Sequence, residues 1–145
     1  MRALLQRVKQ ASVTVDDRCV GKINQGLLVF LAIQKEDDLS QVEKLLDKVL
    51  AYRVFADEQG KMNLSLKDIQ GGLLTVSQFT LAADTAKGLR PGFSLAATPE
   101  DGKRLYNYWL RQAEKKHHHV AAGEFGADMQ VSLLNDGPVT FLLES

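Results

Sequence analysis

Apolar and polar positions follow two different periods along this chain, and the changes between them predict its elements. Ala3 to Val8 is a short apolar run that reads as a first strand. Ala11 to Val15 alternates, with Val13 and Val15 on one face and Ser12 and Thr14 on the other. Asp16-Asp17-Arg18 then predicts a turn into Cys19 to Ile23, hence a hairpin. Gly26 opens Leu27 to Ile33, apolar on both faces as a central strand is. The period then becomes helical. Asp37 or Asp38 caps a helix running to about Val54, with Val42, Leu45, Leu46 and Val49 inside and Glu43, Lys44, Asp47 and Lys48 outside. Asp57 to Lys61 is a turn, and Leu73 to Phe79 is a strand that carries Thr80 and Leu81 at its end before a polar loop through Gly88. Thr98 caps a second helix with Pro99 at its first position and acids in its first turn. It runs to about Lys116, where Lys115 and Lys116 suit the negative end of the dipole. Two further strands follow, about Asp128 to Leu134 and Val139 to Leu143. Strands, helix, strand, helix, strands make an α+β chain with a mixed sheet, and no repeat or linker divides residues 1–145.

Composition narrows the partners. The 145 residues form one domain, and 18 basic residues balance 18 acidic ones, so no global field draws the chain to nucleic acid or membrane. A nucleic-acid partner has to be held by a local site, at a strand end or single nucleotides. Cys19 is the single cysteine, which excludes an intrachain disulfide and a cysteine-based metal site. The first residues lack the long apolar stretch of a signal peptide, and Leu27 to Ile33 is too short to span a bilayer, so a soluble cytoplasmic protein is expected.

Chemistry is easiest to bound by what is missing. There is no P-loop, dinucleotide fingerprint, HExxH or nucleophile elbow. His117-His118-His119 cannot easily converge on one ion, because consecutive side chains diverge on either element type, and they read as a solvated helix end. Cys19 reads as a packing residue. Ser77-Gln78-Phe79-Thr80-Leu81 has two readings: an ordinary strand end, or a cluster of hydroxyls, an amide and backbone N–H groups where ligands sit on sheets. Gly137-Pro138 stands between two apolar runs. It is either the turn of a hairpin after Asn135-Asp136 or a device that presents backbone carbonyls, and X-Pro is the bond type that tolerates cis at low cost.

Several segments in order carry a resemblance: Gln6-Arg7-Val8 with Ala11-Ser12-Val13; Gly60-Lys61-Met62-Asn63-Leu64; Ser77 to Leu81; Arg90-Pro91-Gly92-Phe93; and Phe125 to Val131 running into Asn135 to Phe141. By these the chain resembles the bacterial D-aminoacyl-tRNA deacylases from end to end, departing at Gly92, where Ser is more usual, and in the histidine run. The resemblance implies a barrel-like core with two main helices packed on it, and a homodimer with its active site at the subunit interface. The reaction implied is hydrolysis of the ester joining a D-amino acid, or glycine, to the terminal ribose of tRNA. It implies a cis Gly137-Pro138 inserted into the partner's pocket, opposite a wall made by Ser77, Gln78, Phe79 and Thr80.

Selection would then work by exclusion. Two carbonyls held by the Gly-Pro turn leave no room for an L side chain, while a D side chain points outward and glycine has nothing to exclude. Arg7 is a candidate to brace that turn, its alternative being a surface ion pair. Phe125 and Met129 line the terminal adenosine pocket or belong to the core. Thr80 is the nucleophile by resemblance. The favoured route is different: a neighbouring ribose hydroxyl of the substrate activates water, and amides near Phe79 and Thr80 hold the oxyanion, because no base adjoins Thr80 in sequence. No cofactor or protein-bound metal is expected. The competing reading from another class is a nucleic-acid-binding module that uses the same pocket without catalysis.

Overall fold

A computed structural model describes residues 1–145. Its elements are β1 (Arg2–Val15), β2 (Arg18–Ile23), β3 (Gly26–Ala32), α1 (Leu39–Ala51), β4 (Phe55–Ala56), β5 (Met62–Leu64), α2 (Leu66–Ile69), β6 (Gly72–Ser77), a 3₁₀ turn (Phe79–Ala82), α3 (Pro99–Lys116), β7 (Val120–Ala122) and β8 (Gln130–Glu144). The main sheet runs β2-β1-β3-β6-β7, with β8 on the far edge of β1. It is mixed: β3, β6 and β7 are mutually parallel, whereas β2, β3 and β8 pair antiparallel to β1. The sheet curls until β2 lies against β7. A Cβ on Gly21 would come within 2.6 Å of the Ala122 carbonyl oxygen, so only glycine lets this seam draw together. The result is the α+β, barrel-like single domain that was expected.

Two apolar layers fill it. Outside the curled sheet, α1 and α3 press Val42, Leu45, Leu46, Val49, Leu105 and Trp109 onto Ala3, Leu5, Leu27, Val29 and Leu31. Inside the curl, Val8, Ala11, Val13, Val15, Ile23, Leu28, Leu74 and Val76 meet one another. Strand β3 serves both layers with successive residues, which is why its sequence is apolar throughout.

The structure corrects several boundaries. The predicted first and second strands are one strand, β1: Ala3 and Leu5 face the helix-side layer, Val8 faces the inside of the curl by ordinary alternation, and the parity changes once, between Val8 and Ala11. That change coincides with a register shift against β8 between Val8 and Gln10, where β1 carries an extra residue, so the strand bends without ending. The two predicted C-terminal strands are likewise one, β8, and no hairpin turn lies between them. Helix α1 stops at Ala51, short of Val54, and the strand expected to reach Phe79 stops at Ser77. The short elements β4, β5, α2 and β7 have too few residues to show a period, and all four went unpredicted. Thr98 and Asp38 cap as expected, the second with a full capping box to Gln41. No helix is long and apolar enough to cross a membrane.

Candidate active site

The chemistry-bearing residues gather at the C-terminal end of β6. Leaving the sheet, the chain turns through Gln78 into the 3₁₀ turn, and the Gln78 amide still donates to the Leu31 carbonyl at 2.8 Å. The amides of Phe79 and Thr80 open that turn. They have no acceptor within it and no other bond, as expected of the first residues of a helix. Beside them lies a cleft of about 480 Å³ lined by Ser77, Gln78 and Phe79 on one wall and by Phe125, Met129 and Val131 on the other. The N-terminal turn of α3, with Thr98, Pro99 and Gly102, forms its floor with Tyr106.

The cleft is apolar and carries no carboxylate, imidazole, amine or guanidinium among its lining residues. Its one titratable group is Tyr106, which is buried and donates to the Thr75 carbonyl at 3.0 Å and the Gly123 carbonyl at 3.3 Å. Burial pushes its phenol well above the ordinary value, so it is a fixed donor rather than a base. Phe125 leans on Tyr106 with ring centroids 5.7 Å apart, and Phe79, itself exposed, leans on Phe93 at 5.0 Å. Thr80 is exposed and stands outside the lining, its hydroxyl accepting from Gln78 Nε2 at 2.5 Å.

Gly137 and Pro138 are elsewhere. Gln6 pairs Thr140 and Val8 pairs Asn135, so Asp136 to Val139 all stand opposite Arg7 and bulge from the ladder. The Gly137-Pro138 bond within this bulge is cis, and both residues are exposed. A Cβ on Gly137 would collide with the Val139 amide nitrogen at 1.9 Å. Two side chains hold the bulge. Asn135 Nδ2 donates to the carbonyls of Arg7 at 2.9 Å and Val139 at 3.0 Å. Arg7 lies on the helix-covered face with Ala3 and Leu5, pairing Leu27, and a cation there needs acceptors. Its Nε donates to the Asp136 carbonyl at 2.8 Å and its Nη1 to the Val54 carbonyl at 2.7 Å, with the Asp136 carboxylate at 3.4 Å. Arg7 is thus a partly buried cation tied to two backbone carbonyls rather than a surface ion pair alone.

Strand geometry separates the two groups. Three inter-strand steps and four residues of rise put the bulge and Ser77 roughly 15–20 Å apart on the curled sheet. One chain therefore brings together Ser77, Gln78, Phe79, Phe125 and Met129, and leaves Gly137, Pro138 and Arg7 outside that cleft. Sequence reading missed Tyr106, Gly102 and Asn135. A hydroxyl-bearing Tyr106 inside the apolar stripe Leu105, Trp109, Ala113 was the available signal for the first. The histidine run is also corrected: His117 is buried, its Nε2 2.6 Å from the Gly71 carbonyl, while His118 and His119 border a separate polar hollow.

An α+β barrel with a neutral cleft at a strand end sets free amides and hydroxyls beside a flat apolar wall. Comparison supplies the family. The model of the D-Tyr-tRNA(Tyr) deacylases matches residues 4–144. A D-aminoacyl-tRNA deacylase of Stutzerimonas stutzeri is 63% identical over 145 residues, covering 100% of both chains. Another from Pseudoalteromonas translucida is 60% identical over 143 residues, 99% of each. A solved structure described as the c-Myc DNA Unwinding Element Binding Protein superposes with a TM-score of 0.96 at 44% identity, over 100% of this chain and 99% of that one. A probable eukaryotic D-amino acid tRNA deacylase shares the fold, with a TM-score of 0.79 at 17% identity over 98% and 97% of the two chains. The chain belongs to the D-aminoacyl-tRNA deacylases, a family of hydrolases.

Proposed function

We propose that this protein hydrolyses the ester between a D-amino acid, or glycine, and the terminal ribose of tRNA, working as a cytoplasmic homodimer. In each site the Ser77–Thr80 wall of one protomer faces the Gly137-Pro138 segment of the other. The observation that carries this reading is the separation within one chain: an uncharged cleft on one side, and a braced, exposed Gly-Pro bulge too far away to serve it. A second copy brings the two together. The exposed Leu133, Leu134 and Leu142 on β8 offer apolar surface for that copy.

The neutral cleft favours substrate assistance. Water attacks the ester carbonyl carbon, and the vicinal ribose hydroxyl orients it and relays its proton. The Phe79 and Thr80 amides hold the oxyanion, and the C–O bond to the ribose breaks. The ribose oxygen takes up a proton, and the free amino acid leaves. Phe125 and Met129 receive the adenine. Thr80 as nucleophile has less support, since no base adjoins it and its hydroxyl lies beside the cleft rather than in it.

D-Tyr-tRNA and L-Tyr-tRNA, incubated separately with the protein, test the activity. Release of D-tyrosine alone is expected. No release from either favours a nucleic-acid-binding module, a reading that the name of the 44%-identical structure keeps in play. Mixed dimers test the cross-subunit site. One protomer altered in Ser77–Thr80 and one altered in Gly137-Pro138 retain one intact site, so activity returns on mixing. A site built within one chain would stay inactive.

A further inference from the structure

We propose that the loop between Asp84 and Gly92 is the contact for the single-stranded tRNA end just upstream of the terminal nucleotide, with Lys87 and Arg90 as its phosphate contacts. This rests on the hydrolase reading above and assigns a role to a segment which that reading leaves unused. The loop is a closed projection. Asp84 and Gly92 exchange backbone hydrogen bonds at 2.8 and 3.0 Å and form an isolated β-bridge at its neck. Its own foot is tied to the cleft wall: Phe93 stacks on Phe79, and the Lys35 amide reaches the Leu95 carbonyl at 2.9 Å. The neck and foot of the loop are therefore anchored beside the cleft.

The tip, Thr85 to Pro91, carries Lys87 and Arg90 and no acid. Neither cation is among the ion pairs of the structure, and Arg90, unlike Arg7, has no carbonyl to satisfy it. Asp84, the one acid at the neck, already spends a carboxylate oxygen on the Ala86 amide at 3.0 Å. Between the two cations, Leu89 is fully exposed at 106%. Two unpaired cations flanking a bare apolar side chain suit phosphates on either side of an unstacked base. They do so in a protein whose net charge is zero, where a nucleic-acid chain has to be held locally. A cleft sized for one nucleoside and its aminoacyl group leaves the preceding nucleotides to cross this loop.

The test compares two substrates of the full-length protein: D-Tyr-tRNA, and D-tyrosyl-adenosine, which ends where the cleft ends. In the Lys87→Ala/Arg90→Ala double variant, KM for D-Tyr-tRNA should rise about tenfold with kcat held. The slope of log(kcat/KM) against log[salt] should become shallower by about 1.4, the loss of two single-strand phosphate contacts. Cleavage of D-tyrosyl-adenosine should be unchanged. An unchanged KM and salt slope on tRNA would overturn the assignment, and so would an equal loss on both substrates, which would make the loop a support of the cleft. If the unaltered protein cleaves neither substrate, the hydrolase reading itself fails and the loop's role with it. Leu89→Ala supplies a second variant: a raised KM on tRNA with the salt slope intact is expected, and no effect on KM would remove the base contact.

Discussion

Replacing Arg7 by Met isolates the brace beneath the Gly-Pro bulge. The side chain is 15% exposed and joins two otherwise distant carbonyls, those of Val54 and Asp136. Each acceptor that loses a charged donor forfeits about 1.5–3 kcal/mol when water cannot replace it. Val54 is buried, so its carbonyl takes about 2 kcal/mol of that loss. The Asp136 side chain is 35% exposed, so water recovers part of the second loss, and the ion pair adds little. A total of about 3 kcal/mol corresponds to a fall in Tm of roughly 6–12 °C for a domain of this size. The catalytic consequence should be larger than the stability loss suggests. With Asn135 alone holding the bulge, an ångström of drift in the carbonyls costs about 10²-fold in kcat/KM for a D-aminoacyl substrate, measured far below Tm. Arg7→Lys keeps the charge but not the fork that spans two carbonyls, and should fall between. Calorimetry and steady-state kinetics on D-Tyr-tRNA and L-Tyr-tRNA provide the readouts. An Arg7→Met protein with unchanged Tm, unchanged kcat/KM and an unchanged D-to-L ratio would refute the bracing argument.

The other expectations concern the cleft and its floor. Thr80→Ala should stay within about tenfold of the unaltered kcat, whereas loss of a nucleophile costs about 10⁴-fold or more; a tRNA ending in 2′-deoxyadenosine and charged on the 3′ oxygen should be cleaved far more slowly, and undiminished cleavage would take the ribose hydroxyl out of the mechanism. Tyr106→Phe leaves the Thr75 and Gly123 carbonyls short of a donor and should cost about 1–2 kcal/mol near neutral pH by denaturant titration. Burial holds the Tyr106 phenol above the ordinary value of about 10, so the unfolded chain loses that proton first. Stability from this group is therefore complete below pH ~10 and lost as pH rises beyond it, by up to about 1.4 kcal/mol per pH unit. The Tyr106→Phe protein should lack that component, and parallel alkaline melting curves for the two would contradict it. Trp109→Phe strands the buried Thr75 hydroxyl, whose partner is Trp109 Nε1 at 3.1 Å, and should cost about 2–4 kcal/mol through the lost volume and the lost bond.

Local signals in the sequence were reliable where local physics decides. Thr98 followed by Pro99 and two acids fixes the start of α3 at Pro99, and the stripe Val42, Leu45, Leu46, Val49 is the buried face of α1. They failed where a distant backbone decides. Val8 and Ala11 share a face at an odd spacing, and a break in period reads as the end of a strand. The extra residue is taken up as a bulge of β1 against β8, where Val8 pairs Asn135 and Gln10 pairs Leu134, so β1 continues. His117 follows a basic helix end and reads as solvated, but the Gly71 carbonyl that covers it is brought there by the tertiary fold. Strand β7 survives at three residues because the parallel edge of β6 supplies its bonds, and no pattern in Val120 to Ala122 announces that.

The Gly-Pro pair shows the same division with more at stake. Pro138 has no amide to give to a ladder, so sequence logic ends a strand there. Pairing resumes at Thr140 because the interruption is absorbed as a bulge. A turn would have reversed the chain and buried the pair among its own loops. A bulge leaves it standing off an otherwise continuous strand, with Arg7 and Asn135 beneath it and nothing above. The cleft at Ser77 has the opposite incompleteness, with amides and an aromatic wall but no group to discriminate between the two hands of a substrate. Hydroxyls and amides can hold an ester carbonyl, yet they cannot by themselves tell on which side of it a side chain projects. Rigid backbone oxygens on a braced bulge can, because no rotamer change relaxes them. In the proposed dimer each feature supplies what the other lacks, and roughly 15–20 Å of sheet keeps them apart within one chain. On the proposed reading, the second copy is called for by the register of β1 and β8, rather than by surface apolarity alone.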